Sequence, residues 1–316
     1  MELYPLQFKP IFKKRLWGGC RLKDLFKKEL PEGVPVGESW ELADVGTDCS
    51  TVNKGPLEGA NLNHIIEDYG IFLTGNPDYI PPFPLLIKFL DAQDVLSVQV
   101  HPDAETCVRM GKGAPKTECW YIIDCPEDGY IYKGLKPGTT REQFARSVSE
   151  GTCEQYLKKV PVKQGECHYL PSGTCHTTGP GLVIAEIQQP SDTTYRVFDW
   201  NRVDPQTGKG RELHIEEALE SIHFDSSQNN LSVASVGRLV NAPEFKVDKG
   251  HQTPGCEMLL KKGTMRVLVF LTGHGRIAAE GQIAVDFSPG TTLLIPAAYE
   301  GVVYFNKETE FLMVTV

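Results

Sequence analysis

The stretch Val98-Gln99-Val100-His101-Pro102-Asp103 constrains this chain more than any other. Successive side chains of a strand point to opposite faces, so Gln99 and His101 share one side and Val98 and Val100 the other. Two donor groups spaced i and i+2 on a strand can reach one point in space. Further along, Glu118 lies in Lys116-Thr117-Glu118-Cys119-Trp120, and His176 closes Pro171-Ser172-Gly173-Thr174-Cys175-His176. Gln99, His101, Glu118 and His176 are therefore read as converging on one divalent metal inside a β-barrel.

The punctuation of the chain agrees with a barrel. Its 22 prolines and 30 glycines call for many turns between short strands, and 316 residues allow one large domain or two moderate ones. A formal charge of −9 argues against a general nucleic-acid binder, which needs a basic field to meet phosphates. A local cluster of Lys and Arg can still hold one small anion. No run approaches the roughly 18 apolar residues of a spanning helix. Met1-Glu2-Leu3-Tyr4-Pro5-Leu6 lacks the pattern of a signal peptide, so no membrane association is expected and the cytosol is the expected compartment. The nine cysteines are odd in number and form no CxxC pair, which fits a reducing setting with most of them as small buried residues.

Along the chain, extended pieces lead to a helical turn around Arg21–Lys28, and Gly37-Glu38-Ser39-Trp40-Glu41-Leu42-Ala43-Asp44 alternates as a strand. Asn61–Tyr69 reads as a short helix. The apolar run Phe83–Asp91 carries Lys88, whose burial is costly unless it is paired or faces a cavity. Cys119–Ile123 is a strand, and Arg141–Leu157 is helical with a break near Gly151-Thr152. Arg211–Ile222 is the clearest amphipathic helix, with apolar positions 215, 218, 219 and 222. The polar stretch Asp225–Ser235 places a soft boundary between residues 1–235 and 236–316. The spacing Gly165-x5-Pro171-x-Gly173-x2-His176 recurs weakly at an offset of 125. Gly290 and Pro296 keep the turn there, while Ala298 and Gly301 replace Gly173 and His176. Each copy has a small strand before its glycine, Val160–Val162 and Gln282–Asp286. The second copy is read as keeping the turn and losing the ligand.

That glycine–proline–histidine spacing resembles the second motif of the cupin superfamily, which implies a mainly β fold of double-stranded β-helix (jelly-roll) barrels with a few peripheral helices. The place of the usual His-x-His is taken by Gln99-x-His101. With Lys116-x-Glu118 and the distant His176, this set resembles the zinc site of type I mannose-6-phosphate isomerases. Gly37–Glu41, Pro84–Leu90, Leu96–Pro102, Lys116–Tyr121 and Glu186–Trp200 follow the family in order, over roughly residues 5–220. Thr117 stands where many relatives have Pro.

The resemblance implies an aldose–ketose isomerase of carbohydrate metabolism, interconverting mannose 6-phosphate and fructose 6-phosphate through a cis-enediol with one Zn²⁺ per chain. A metalled catalytic domain at 1–235 and a degenerate, metal-free cupin-like domain at 236–316 follow from it. Such chemistry requires an electrophile, an acid–base group and a phosphate anchor. Arg196, Glu186 and Lys116 are the candidates for catalysis, with Glu186 the leading proton-transfer group or else an orienter of an imidazole. Lys88, Lys112 and Trp40 are the candidates for holding the sugar phosphate. His64, His168, His214, His223, His251 and His274 lack motif context and are read as surface or structural. The alternatives are an iron-dependent dioxygenase, a cupin-type glucose-6-phosphate isomerase, and a non-catalytic sugar-phosphate-binding cupin. The small-molecule partner is a sugar phosphate; the oligomeric state is open.

Overall fold

The computed structural model describes residues 2–203, 208–224 and 233–316. The fold is mostly antiparallel β. The 225–232 part of the polar boundary stretch lies outside the described residues.

Two sheets make the first barrel. One runs in the order Val233–Ala234, Cys167–Leu170, Glu118–Asp124, Leu182–Gln188, Leu86–Ala92, Val36–Leu42 and Ile11–Gly19. The other runs Leu157–Pro161, Tyr130–Leu135, His176–Thr178, Val98–Val100 and Tyr195–Phe198. Several central strands are buried on both faces, and the alternation explains how. Ile87, Phe89, Cys119, Tyr121, Ala185 and Ile187 point out of the barrel into the main apolar core. Leu90, Trp120, Ile122, Leu170 and Ile184 point inward and meet Ile131 of the opposite sheet. Val98 and Val100 face outward beneath the helices Arg141–Ser149 and Ile215–Ser221, which leaves Gln99 facing the interior.

The second barrel repeats this design. Its four-stranded sheet has the order Glu257–Leu260, Gly301–Phe305, Gly275–Ala278, Val285–Phe287. Facing it are Leu6–Gln7, Thr292–Ile295, Arg266–Phe270, Thr309–Thr315, Lys246–Gln252 and Gly237–Asn241. Taken in chain order, the eight central strands of each barrel pair in the same way. Cys167–Leu170 and Thr292–Ile295 lie at the same offset of 125 as the turns they follow, and Gly165 and Gly290 both take positive φ (90° and 81°). The register then gives the lost ligands: His176 pairs with Gln99 in the first barrel, whereas Gly301 pairs with Leu260 in the second. A Cβ on Gly301 would meet the Tyr299 hydroxyl at 2.6 Å, so the space of the absent histidine is filled.

Most expected elements are present, with three differences. The helix expected over Arg211–Ile222 spans Ile215–Ser221, because the His214 amide donates to the Arg196 carbonyl at 2.8 Å and holds the chain before it against a strand. The strand expected at Gln282–Asp286 is Val285–Phe287, since Gly281 and Gln282 form a turn. Four cysteines are buried (119, 153, 167 and 175), four are intermediate and Cys20 is exposed, so burial is less general than the composition suggested.

A candidate metal centre and active site

The turn before His176 is built by close approach. Gly173 has φ +83°, its amide donates to the His101 carbonyl at 2.8 Å, and an added Cβ would strike the His223 ring at 2.5 Å. His223 in turn pairs with Asp103 at 2.8 Å, the residue that caps the helix Ala104–Met110. The turn carrying one histidine is thereby docked on the strand end carrying the other.

Both imidazoles are oriented alike. His101 Nδ1 lies 2.9 Å from the Thr193 carbonyl and His176 Nδ1 lies 2.8 Å from the Thr174 carbonyl. Each Nδ1–H is thus donated to the backbone, leaving the Nε2 lone pair aimed at Glu118. The Nε2 atoms are 3.4 Å and 3.2 Å from the two Glu118 oxygens. Burial first, then the Lys116 ammonium, pushes His101 down to about 3, so it is neutral and able to ligate. Burial raises the Glu118 carboxyl, but Lys116 and the imidazoles outweigh it and hold the acid well below its ordinary range.

Glu118 is fully buried, and among the described residues its oxygens meet other side chains as ion-pair contacts and not as well-directed hydrogen bonds. Lys116 Nζ lies 2.8 Å from Oε2 and 3.1 Å from His101 Nε2, a cation placed at the donor atoms. One donor atom each from His101, Glu118 and His176 lies within 4.8 Å of the others. An ionised, buried carboxylate beside two imidazoles that are anchored through Nδ1 and present Nε2 fits a divalent metal ion. The Gln99 amide reaches the same place, 3.4 Å from His176 Nε2, and an amide can turn its oxygen to that point.

Beside this cluster lies a cavity of about 300 Å³ walled by Lys88, Gln99, Lys116, Glu186, Arg196 and Glu38, among others. Two of its lining residues, Lys88 and Glu186, belong to one cross-strand row whose other members stand behind the wall. Trp40 pairs with Lys88, Lys88 with Glu186, Glu186 with Trp120, and Trp120 with His168. Lys88, only 4% exposed, resolves its burial by an ion pair to Glu186 at 2.9 Å and a longer one to Glu38 at 3.9 Å. Its cavity-facing placement matches the sequence expectation. The two carboxylates and burial act on it in opposite senses, and the net effect is upward. Trp120 Nε1 donates to the other oxygen of Glu186 at 2.8 Å. Glu38 accepts from Arg15 at 2.6 Å and from Trp40 Nε1 at 2.7 Å; burial opposes its ionisation, but Lys88 and Arg15 win and bring it down to about 2.

The structure brings together Gln99, His101, Glu118, His176, Lys88, Lys116, Glu186 and Arg196. Arg196 pairs in register with Gln99 and is braced by Ser97 Oγ at 3.2 Å and the Glu212 carbonyl at 2.7 Å. Two expected residues stand elsewhere. Lys112 is half exposed and ion-paired to Glu217 at 2.7 Å on the surface, so it does not wall the cavity. Trp40 is 1% exposed and sits behind the wall, its ring 5.1 Å from Lys88 Nζ and its indole holding Glu38. Glu38, Arg15, Trp17 and Arg211 wall the cavity and were not singled out from the sequence. Alternation carried a signal for three of them, since Glu38 shares a face with Trp40 and Arg15 with Trp17. Arg211 comes from a distant loop and had none.

A family model described as phosphomannose isomerase type I, catalytic domain, matches residues 5–123. A probable mannose-6-phosphate isomerase, GmuF, of Bacillus subtilis (strain 168) is 38% identical over 305 residues, covering 94% of each chain. The mannose-6-phosphate isomerase ManA of the same organism is 35% identical over 308 residues, again covering 94% of each. Among solved structures, a mannose 6-phosphate isomerase from Bacillus subtilis superposes with a TM-score of 0.88 at 27% identity, over 99% of this chain and 100% of that one.

Proposed function

The chain belongs to the type I phosphomannose isomerase family and is a mannose-6-phosphate isomerase, and we propose that it moves a proton between C1 and C2 of the open-chain sugar inside the cavity beside Glu118. The observation that carries this placement is the juxtaposition of a buried donor cluster with a cavity lined by both cations and a clamped carboxylate. Gln99, His101, Glu118 and His176 would hold one Zn²⁺ per chain; two imidazoles, a carboxylate and an amide oxygen suit that borderline ion. When bound, a divalent ion supplies an electrophile for the sugar carbonyl and hydroxyl oxygens.

The remaining work falls to side chains of the chain. Glu186 is our candidate to carry the proton between the two carbons. Lys88 at Oε1 and Trp120 at Oε2 fix the plane of its carboxyl group in the wall. Glu38 is less suited to that role because the Arg15 guanidinium at 2.6 Å and the Trp40 indole at 2.7 Å occupy its two oxygens. Lys116 places an ammonium beside Glu118 and the cavity, where it can protonate or stabilise a developing enediol oxygen. Arg196, with Arg15 and Arg211, gathers guanidinium forks at the cavity and serves as the phosphate anchor, or neutralises the enediolate. Nine free thiols make a reducing compartment, the cytosol, our proposed location.

Paired variants test the assignment. We expect Arg196→Ala and Glu186→Gln to keep their metal content by elemental analysis while losing turnover of mannose 6-phosphate, by roughly 10²-fold or more for the proton-transfer group. Unchanged turnover in either variant removes that residue from the mechanism.

A further inference from the structure

Beside the substrate cavity lies a second hollow of about 240 Å³, walled in part by Lys14, Arg15, Trp17, Arg202 and Arg211. Arg15, Trp17 and Arg211 wall both spaces, so the two are neighbours across one layer of side chains. The wall of the smaller hollow sets those four cations against the carboxylate of Asp199. Asp199 is already engaged, 2.5 Å from Arg202 and 3.7 Å from Arg211. Arg202 also reaches Asp94 at 3.3 Å and donates to the Val95 carbonyl at 2.5 Å. The cations thus exceed the carboxylates by one: Lys14, Arg15, Arg202 and Arg211 against Asp199, Asp94 and Glu38. Arg15 is drawn to the substrate side by Glu38 at 2.6 Å. The crowding is felt at Arg211, whose guanidinium is shifted down by burial first and then by Arg196; Asp199 opposes the shift, and Arg202 and Arg15 add to it. Guanidinium forks gathered in excess of carboxylates match the oxygens of a tetrahedral oxyanion. A substrate with a single phosphate can engage Arg15 and Arg211 from one side only.

We propose that the smaller hollow is a second oxyanion subsite, taking inorganic phosphate or the phosphate of a second sugar phosphate. Its occupancy weakens substrate binding by drawing on the shared Arg15 and Arg211. The proposal rests on the sugar-phosphate reading of the neighbouring cavity. It makes the enzyme sensitive to phosphate beyond simple competition for one anchor.

The test is calorimetric titration of the full-length, metal-loaded protein with inorganic phosphate at constant ionic strength. Two binding equivalents are expected for the wild type, with one lost in Lys14→Glu, whose exposed position should leave the fold and the phosphate-free turnover unchanged. Arg202→Gln is a second variant expected to lose the same equivalent. A single equivalent that both variants retain overturns the subsite. If Lys14→Glu loses an equivalent and Arg196→Ala loses none, the subsite stands and the Arg196 anchor fails. No binding at all in the wild type overturns both. The source of the anion is separated by kinetics. Inhibition at high mannose 6-phosphate that disappears in Lys14→Glu assigns the subsite to sugar phosphate, whereas inhibition by inorganic phosphate alone assigns it to the free anion.

Discussion

His168 stands in the same cross-strand row as Trp120 and Glu186, sealed from solvent, with the Glu166 carboxylate 3.4 Å from its Nε2 as a partial counter-charge. Burial first, and then the charge of Lys133, pushes it from 6.5 down to about 4. A histidine kept neutral in the fold protonates first in the unfolded chain, so the unfolded state binds more protons between those values. Stability should therefore fall as pH drops from about 6.5 to about 4, by at most about 1.4 kcal/mol per pH unit for this group. Denaturant unfolding of His168→Gln across that range should show a shallower decline than wild type; parallel curves would mean that His168 is not held neutral. The residue also shows where sequence reading ends. His101 and His176 were legible because strand alternation and a glycine–proline frame surround them. His168 carries no such frame, and only the register reveals that it lies behind the site. Lys112 shows the converse: its neighbours in sequence give no hint of Glu217, the partner on a distant helix that stands 2.7 Å from its ammonium.

At the scale of elements, the turn Pro171–Cys175 sets the geometry of the site. Gly173 takes a conformation that L side chains rarely adopt, with the His223 ring against the position of a Cβ. Gly173→Ala should cost roughly 1–3 kcal/mol from the backbone alone, with a further loss of metal affinity as His176 shifts away from Glu118. Thermal unfolding with and without metal would show both effects, and a wild-type Tm with wild-type metal content would contradict them. The turn was readable because glycine and proline spacing reports backbone directly. The start of the helix Ile215–Ser221 was less so, because periodicity does not register a backbone bond from His214 to a strand elsewhere in the fold. The cavity walls follow the same logic. Glu38 and Arg15 could be sorted to a face by alternation, but which face is the interior depends on strands far away in sequence.

At the scale of the molecule, the outer face of the first barrel is not a surface. Phe89, Tyr121 and Ile187 share one core with Val247, Val267 and Leu294 of the second barrel, and Leu6–Gln7 pairs with Leu293 and Leu294 across the chain. We propose that residues 1–235 and 236–316, although two barrels by topology, unfold as one cooperative unit. A 1–235 fragment should then be insoluble or lack a cooperative transition, and a soluble fragment with a sharp transition would contradict this. The two-barrel plan was only faintly legible, in a repeat of a few positions, because the second copy preserves strand order and turns while replacing every ligand position identified by register. No helix among the described residues is long and apolar enough to cross a membrane.

The central claim is that the cluster of Gln99, His101, Glu118 and His176 holds the metal on which isomerisation depends. The most direct measurement is elemental analysis of the purified chain before and after chelation, coupled to an assay converting mannose 6-phosphate to fructose 6-phosphate. One equivalent of metal per chain is expected, with turnover lost as the metal leaves and restored by Zn²⁺. A chain shown to be metal-free and still fully active would contradict it.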